Sequence, residues 1–367
     1  MTVGEVCAVI EELAPASLAY EWDRPGLSTG NPGARVSSLI VALTVTSESL
    51  KAAKKARAQM IVSHHPIIWD PLPSLRTDDP HARLCLQLAQ AGIACYAAHT
   101  NLDMVPGGVN SVLAARLHLT HVKPLLSAPQ ARQVKLVTFV PESHLAAVRQ
   151  AVCDAGAGMI GDYTYCSFST PGVGTFMPGV EAQPFSGKKH VVNEETERRF
   201  ETLVTKARLP GVLAALFKAH PYEEVAYDIV TLENTDPSVG LGIRGELDEP
   251  RTLRTFAIEV CKALRVSHVR MVGESGRRVR TAAVLGGSGG GEIARLPSDI
   301  DVFVTGDVKY DHALAARKRN VAVIDAGHAG TEKWIVPALA AFLKKRLPGV
   351  RVTTQTERDV FSLVTGE

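Results

Sequence analysis

The sequence predicts an α/β fold in which a mostly parallel sheet is interrupted by an inserted α+β module. The first observation behind this prediction is an alternation of short apolar, β-branched runs with helical segments, before Ala131 and again from Leu241. The second is the order β-α-β…β-α-β between these regions, which is typical of a ferredoxin-like module. We therefore divide the chain into a first half of the α/β body at 1–130, an inserted ferredoxin-like domain at 131–236 and a second half of the body at 237–367.

The individual elements are predicted from apolar spacing and flanking residues. In the first half, the pattern predicts helices over 1–14, 47–58 and 80–90, strands over 38–45 and 93–98, and a further strand that ends at His64. In the inserted domain it predicts strands over 134–140, 163–168, 174–177, 198–205 and 224–232 and helices over 142–155 and 210–219; the Pro/Gly-rich stretch 170–187 is expected to be a loop. In the second half it predicts strands over 281–285, 301–304 and 321–324 and a helix over 331–345.

Composition and charge exclude several classes of protein. Of the 367 residues, 46% are hydrophobic and 21% are charged, which is sufficient for packed cores in two or three domains. The formal net charge of +2 gives no electrostatic reason to expect nucleic acid as a partner, and no apolar stretch reaches the roughly 18 residues that span a bilayer. The six cysteines form no CxxC pair and lie mostly in apolar runs, and the acidic first helix lacks the basic start of a secretion signal. We expect a cytoplasmic protein with reduced thiols and no membrane association.

Polar side chains with metal-ligating chemistry follow the predicted strands at the points where the strands end. In chain order they are His64, His65, His99, Asp103, Asp307, His328 and Glu332. Because ligands of open α/β sheets gather beyond the carboxyl ends of the strands, we expect these side chains to meet at one site. His328 and Glu332 are four residues apart at a predicted helix start, so both can face the same point.

The residue types in this set indicate a site for two divalent metal ions. His64, His65 and His328 offer imidazole nitrogens, and Asp103 and Glu332 offer carboxylate oxygens. Such mixed ligands suit Zn²⁺, Mn²⁺ or Fe²⁺ and argue against Ca²⁺ or Mg²⁺ cages, and a carboxylate can bridge the two ions. The alternative is that several of these groups are hydrogen-bonded structural residues.

Three further features leave more than one role open. His99 and Asp307 can each orient a metal ligand or transfer protons on a substrate, and a structural hydrogen bond is equally compatible. The glycine-rich loop 286–291 follows a predicted strand and can cradle a phosphate with its backbone N–H groups. It matches neither a P-loop nor the dinucleotide fingerprint.

Taken together, these segments resemble the signature of the Nif-three-like family, whose members are often named GTP cyclohydrolase type-two homologs. The resemblance is carried by Ser63-His64-His65-Pro66, His99-Thr100-Asn101-Leu102-Asp103, Gly286-Gly287-Ser288-Gly289, Thr305-Gly306-Asp307 and Gly327-His328…Thr331-Glu332. Two further matching segments are Trp22-Asp23-Arg24-Pro25-Gly26-Leu27 and His220-Pro221-Tyr222-Glu223-Glu224. The resemblance covers nearly the whole chain.

The resemblance implies a Nif-three-like metal-binding α/β body that is split by an inserted domain similar to PII and CutA-type modules. It further implies a dinuclear site and a toroidal homohexamer. The metal ligands carried over from the motifs are His64, His65, Asp103, His328 and Glu332. Glu332 is the bridging ligand in this set. One departure from the pattern is Thr44, where the resemblance leads us to expect an aspartate.

Two functions are compatible with these expectations. The first is a metal-dependent hydrolase that acts on a nucleotide or a related small molecule, with His99 as its general acid or base and with GTP suggested by the family name. The alternative is a non-catalytic, metal-loaded ring that binds a ligand or a partner protein through its inserted domain and acts as a regulator.

Overall fold

The computed structural model of the chain describes residues 1–357, 359–362 and 364. The chain divides into two compact units. One unit, which we call the body, consists of the first 130 residues together with the chain from Pro237 onward, and the other, which we call the insert, is Ala131–Asp236. None of the described helices is both long enough and apolar enough to cross a membrane.

Helices and strands alternate along most of the described chain. The helices are α1 Val3–Leu13, α2 Ser47–Ala56, α3 Pro80–Gln90, α4 Thr100–Asp103, α5 Val109–Arg116, α6 Leu145–Asp154, α7 Leu209–Ala219, α8 Leu253–Leu264, α9 Tyr310–Lys318, α10 His328–Glu332 and α11 Ile335–Arg346. The strands are β1 Gly26–Thr29, β2 Ser38–Ala42, β3 Met60–Ser63, β4 Ala94–Ala97, β5 Thr120–Ser127, β6 Arg132–Pro141, β7 Ser167–Phe176, β8 Asn193–Thr205, β9 Tyr227–Thr235, β10 Gly240–Thr252, β11 Arg270–Val272, β12 Arg278–Val284, β13 Val302–Thr305, β14 Ala322–Asp325 and β15 Arg351–Thr354.

The first sheet of the body has the strand order β1-β4-β3-β2-β15. The strands β4, β3, β2 and β15 are parallel to one another, and β1 pairs with β4 in the antiparallel direction. Every residue of β2, β3 and β4 is buried, and Ile40, Ile61 and Cys95 pack in one core with Leu50 of α2 and Leu88 of α3. Strands buried on both faces have continuous apolar sequences, which is why the sequence located them.

The second sheet of the body has the order β11-β14-β13-β12-β10-β5, in which β14, β13 and β12 are parallel and the remaining pairs are antiparallel. The prediction of a single interrupted sheet is therefore wrong, because the described strands of the body belong to two sheets. The central strands of both sheets are buried and have similar apolar sequences. The sequence pattern therefore cannot assign a strand to one sheet or the other, and only the hydrogen-bond pairing does so.

The helix predicted over 331–345 is interrupted. It forms two helices, α10 and α11, and α10 begins at His328 and ends at Glu332. The residue before α10 is Gly327, which has a positive φ of 76° that a side chain would rarely adopt. This tight entry from β14 brings both residues of the predicted His-x₃-Glu pair onto one short helix.

The insert folds as β6-α6-β7-β8-α7-β9, with the sheet order β7-β8-β6-β9 and antiparallel pairing throughout. This is the connectivity of a split βαβ, ferredoxin-like module. Val148 of α6 and Leu216 of α7 pack with Phe200 of β8 in a core made of the insert's own residues.

Two predicted details of the insert are wrong. The strands expected over 163–168 and 174–177 are one strand, β7, and the loop expected over 170–187 therefore begins only after Phe176. The sequence pattern did not predict this strand, because β7 contains Pro171, Gly172 and Gly174, which are poor strand formers. These residues are tolerated because β7 lies at the edge of the sheet. In addition, β8 begins at Asn193, earlier than the predicted residue 198.

Candidate metal centre

The side chains predicted from the strand ends meet at one point of the body. His64 and His65 directly follow β3, and His99 follows β4 by two residues. His328 and Glu332 are the first and last residues of α10. The potential ligand atoms of His64, His65 and His99 lie within 4.8 Å of one another, and so do those of His65, His328 and Glu332.

The Glu332 carboxylate lies at the centre of the cluster and presents its two oxygens to different partners. Oε2 lies 3.0 Å from Nε2 of His65 and 3.1 Å from Nε2 of His328. Oε1 lies 3.6 Å from Nε2 of His64, and this nitrogen lies 3.7 Å from Oδ1 of Asp103. Each oxygen of Glu332 thus faces a different group of potential metal ligands.

Two atoms on the Oε1 side are buried without a hydrogen-bond partner among the described residues, Nε2 of His64 and Oδ1 of Asp103. Such an atom costs roughly 1–3 kcal/mol and needs an explanation. Nδ1 of His64 lies 2.8 Å from the carbonyl oxygen of Ala98 and donates to it, so Nε2 is the nitrogen that can bind a metal ion once its proton is displaced. A divalent cation would satisfy both atoms, and the residues present therefore fit a metal ion.

The charges of the cluster favour a cation. Burial by itself would lower the pKa of His64, but the neighbouring carboxylates of Glu332 and Asp103 outweigh burial and raise it. The Glu332 carboxylate also raises the pKa of His328. Burial raises the pKa of Asp103 to about 7. Without a metal ion the cluster therefore retains protons, and metal binding must displace them.

Two of the histidines are oriented by hydrogen bonds on the far side of the ring. Nδ1 of His328 lies 2.7 Å from Oδ2 of Asp307, and Nδ1 of His65 lies 2.9 Å from Oγ1 of Thr44. In each case Nε2 is left to face Glu332. Asp307 thus contacts the cluster through His328, which is the orienting role that the sequence left open for it. The unexpected Thr44 has an orienting role of the same kind.

His99 is held by Asp23, which does not follow a predicted strand. Its Nδ1 lies 2.9 Å from Oδ1 of Asp23, whose other oxygen accepts hydrogen bonds from the backbone and the hydroxyl of Thr100. Burial tends to raise the pKa of Asp23, but the bonds from His99 and Thr100 outweigh burial and hold it at about 2. Burial lowers the pKa of His99, and because Nδ1 is bonded to Asp23, Nε2 is the ring nitrogen left available to the cluster. Asp23 lies within a turn-rich segment with no strand signal, so only the motif resemblance pointed to it.

Two tryptophans that were not predicted as site residues lie beside His99. The ring centroid of His99 lies 5.0 Å from that of Trp69 and 6.3 Å from that of Trp22, and both contacts are edge-on. The two indoles are nearly parallel, with an interplanar angle of 19°. Trp22 is 57% exposed and Trp69 is 41% exposed, so aromatic surface is open next to the cluster.

The glycine-rich loop after β12 supports the cluster. The N–H groups of Gly286, Gly287 and Gly289 donate to side chains of the protein itself. At these three positions the phosphate-cradle interpretation is therefore wrong. A Cβ atom at Gly287, where φ is +65°, would lie 2.2 Å from Oε1 of Glu332. Glycine is needed there because the backbone passes directly beside the central carboxylate.

A cavity of about 1060 Å³ opens beside the cluster. His65 and His328 form part of its wall, and Arg265, Arg270 and Lys333 also line it. The cavity is large enough for a small organic ligand. Its lining carries both signs of charge, because it also includes the carboxylates of Asp307, Asp325, Glu357 and Asp359.

Fold and site together define a mixed α/β protein with a buried histidine–carboxylate cluster at the ends of its strands. The family model described as Duf34/NIF3 (NGG1p interacting factor 3) matches residues 1–359. The chain belongs to the Duf34/NIF3 family.

Individual relatives agree with this assignment. A protein of Halalkalibacterium halodurans named GTP cyclohydrolase 1 type 2 homolog is 39% identical over 351 residues, which cover 95% of this chain and 94% of the relative. A Bacillus subtilis protein of the same name is 38% identical over 325 residues, which cover 88% and 87%. The crystal structure of a Bacillus cereus protein related to NIF3 covers 99% of both chains with a TM-score of 0.86 and 36% identity. The family predicted from the sequence motifs is thus confirmed.

Proposed function

We propose that this protein is a metal-dependent hydrolase that holds two divalent ions, Zn²⁺, Mn²⁺ or Fe²⁺, and acts on a nucleotide or a related small molecule. The observation that carries the proposal is that the two carboxylate oxygens of Glu332 face different groups of potential ligands. Its Oε1 faces His64 and Asp103, and its Oε2 faces His65 and His328. A carboxylate placed between two sets of N/O ligands is the arrangement of a bridged dinuclear centre.

His99 is proposed as the general acid or base of the reaction. Asp23 accepts the hydrogen bond from Nδ1 and thereby fixes the tautomer, so the lone pair of Nε2 faces the cluster. The lowered pKa of His99 keeps this nitrogen free to take up a proton near neutral pH. Bound divalent ions supply Lewis acidity, which lowers the pKa of water and polarises the bond under attack.

Three observations support a nucleotide-like substrate. Arg265 and Lys333 line the cavity beside the cluster, form no ion pair among the described residues and suit a phosphate group, whereas Arg270 is paired with Asp325. The exposed faces of Trp22 and Trp69 suit a planar ring, since stacking on an aromatic side chain is worth roughly 1–3 kcal/mol per base. In addition, the similar proteins are named GTP cyclohydrolase 1 type 2 homolog, which makes GTP the first compound to test.

The test is an assay of purified, metal-analysed protein with GTP and a panel of other nucleotides, with the products separated by chromatography. We expect turnover of at least one nucleotide by the wild type and none by Glu332→Gln, which keeps the shape of the side chain and removes its charge. Fully metal-loaded wild-type protein that converts no compound of the panel would contradict the hydrolase proposal.

A second candidate function is favoured by the independence of the insert. We propose that the insert is a PII/CutA-like module, because it has ferredoxin-like connectivity and a core of its own residues. In this alternative the metal-loaded body is a scaffold, and the insert binds a ligand or a partner protein without turnover. Ligand binding in the absence of any nucleotide turnover would favour this function over the first.

We also propose that the protein is a homo-oligomer, with a hexamer as the expected state. The support is strand β9, which is the edge of the insert's sheet and is exposed along most of its length. Tyr227, Ile229 and Val230 on this strand are between 39% and 50% exposed. An open apolar edge strand is a surface on which another chain can pair. Sedimentation equilibrium tests this directly, and a monomer at all concentrations would contradict it.

A further inference from the structure

A second cavity lies entirely within the insert. None of the candidate metal ligands lines it. Its volume is about 750 Å³, and it is lined by residues of β6, β7, β8 and the segments that follow β7 and α7. The aromatic rings of Phe139, Phe176, Phe185 and Tyr222 contribute to its wall. A cavity of this size with mostly apolar walls and a few polar groups has the properties of a small-molecule site.

The polar group that distinguishes this cavity is the carboxylate of Glu197. The residue is only 9% exposed, and among the described residues it forms no ion pair. The hydroxyl of Tyr222 donates to its Oε1 at 2.8 Å. Its Oε2 accepts no hydrogen bond from the described part of the chain. A mostly buried carboxylate with one oxygen open to a cavity is less well solvated than an exposed one, which favours a cation beside that oxygen.

The surroundings hold this carboxylate in place and leave space beside it. His220 is buried, its Nε2 donates to the carbonyl of Phe139 at 3.0 Å, and its Nδ1 accepts from the backbone N–H of Tyr222. These bonds fix Tyr222, which in turn fixes Glu197. A Cβ atom at Gly174 would lie 2.2 Å from Oε2 of Glu197, so this glycine keeps the space beside the free oxygen open.

The charged side chains that line the cavity are mostly acidic. Glu197, Glu223 and Glu224 line the cavity together with a single cationic side chain, Arg199. The guanidinium of Arg199 is already paired, because its Nε donates to Glu201 at 2.7 Å. The cavity therefore presents net negative charge to a ligand.

We propose that this cavity binds a small organic ammonium ion, with the ammonium group at Glu197 and an apolar or aromatic body against Phe139, Phe185 and Tyr222. The ammonium supplies the missing counter-charge and a donor for Oε2. The aromatic faces add a cation–π contribution, which is greatest where the cation is shielded from water. This site is independent of the proposed hydrolase activity.

The test uses isothermal titration calorimetry on the full-length protein with three probes of similar shape. Tryptamine is a cation, tryptophol is neutral and indole-3-propionate is an anion. We expect tryptamine to bind at least about tenfold more tightly than tryptophol, and indole-3-propionate to bind more weakly than either. Equal binding of the three probes, or no tryptamine binding up to ~1 mM, would overturn the proposal.

Matched variants then assign the site. Glu197→Gln keeps an acceptor for Tyr222 and removes the charge, so it should abolish the preference for tryptamine over tryptophol. Glu194→Gln removes the same charge from an exposed position of the same strand outside the lining and should leave the preference unchanged. If both variants behave alike, the proposal is wrong. Should Glu197→Gln fail to fold by circular dichroism, Phe185→Ala decides: the ring is 50% exposed, and its loss should weaken tryptamine binding without unfolding the insert.

Discussion

Nε2 of His64 and Oδ1 of Asp103 lie 3.7 Å apart, and neither atom has a hydrogen-bond partner among the described residues. His64 follows β3 and Asp103 ends α4, which comes after the neighbouring parallel strand β4, and their ligating atoms converge beside Oε1 of Glu332. Two buried polar atoms that face each other without a hydrogen-bond partner are unfavourable unless a cation lies near both. The proposed metal centre rests most directly on this pair.

The first prediction concerns metal stoichiometry. Because the two oxygens of Glu332 serve different ligand sets, Glu332→Gln should lose both ions. Asp103→Asn should lose mainly the ion on the Oε1 side, so that about half of the wild-type metal remains. Elemental analysis of purified protein measures this. Asp311→Asn, which alters a largely exposed carboxylate outside the cluster, serves as the control, and full metal content in Glu332→Gln would contradict the shared site.

The second prediction separates His99 from metal binding. His99→Gln should keep most of the bound metal, because the two ligand sets around Glu332 do not include it. It should lower the turnover of any verified substrate by roughly 10²–10⁴-fold, the usual contribution of a general acid or base. His118→Asn, at an exposed histidine, is the matched control. Wild-type turnover in His99→Gln would disprove the catalytic role, whereas loss of metal would show that His99 is a ligand.

The third prediction is a pH dependence of stability that originates at Asp23. Its pKa in the folded protein is about 2, below the value of about 3.9 expected in the unfolded chain. A lowered folded-state pKa stabilises the fold above the unfolded pKa, and this stabilisation is lost as the pH falls through the folded pKa. Asp23→Asn should therefore reduce the free energy of unfolding by about 1–2 kcal/mol at pH 7, after allowance for solvent screening, and by progressively less between pH 4 and pH 2.

Urea denaturation of the wild type and Asp23→Asn at several pH values measures this difference. Asp78→Asn is a useful comparison, because Asp78 is an exposed aspartate that pairs with Arg76 on the surface. An effect of Asp23→Asn that stays constant from pH 7 to pH 2 would show that the ionised carboxylate of Asp23 is not the source of the stabilisation.

The fourth prediction concerns thiol reactivity. All six cysteines are unpaired, and burial raises the pKa of Cys95 to about 12 and that of Cys7 to about 11. Since the thiolate is the reactive form, Cys95 should not react with Ellman's reagent in the native protein at pH 8. Fewer than six thiols should titrate before denaturation and six afterwards. Mass spectrometry of the labelled peptides identifies them, and rapid native labelling of Cys95 would contradict its burial.

The fifth prediction is that the body assembles its cluster without the insert. The backbone N–H of Asp236 donates to the carbonyl of Ala131 at 2.9 Å, so the two ends of the insert are adjacent. Replacement of residues 133–233 by a short Gly/Ser linker therefore closes only a small gap. We expect a soluble protein with near-wild-type metal content by elemental analysis. A product that is insoluble, or folded but free of metal, would show that the body depends on the insert.

The sequence by itself determined the alternation of helices and strands in the body, because β2, β3, β13 and β14 are buried on both faces and therefore consist of continuous apolar residues. It also determined which side chains belong to the candidate site. His64, His65, His328 and Glu332 could be selected because residues at the carboxyl ends of parallel strands meet at one edge of a sheet.

The tertiary structure decided the rest. It divided the parallel strands between two sheets. Strand pairing depends on hydrogen bonds between segments that are distant in sequence, and local composition does not predict these bonds. It joined Asp23 to His99 and Thr44 to His65, contacts between residues 76 and 21 positions apart. It also left Glu197 buried without a counter-ion beside a cavity. A single glutamate in a charged stretch is predicted to be a solvated surface residue, and only the packing around it shows that little of it is exposed and that it lines a cavity.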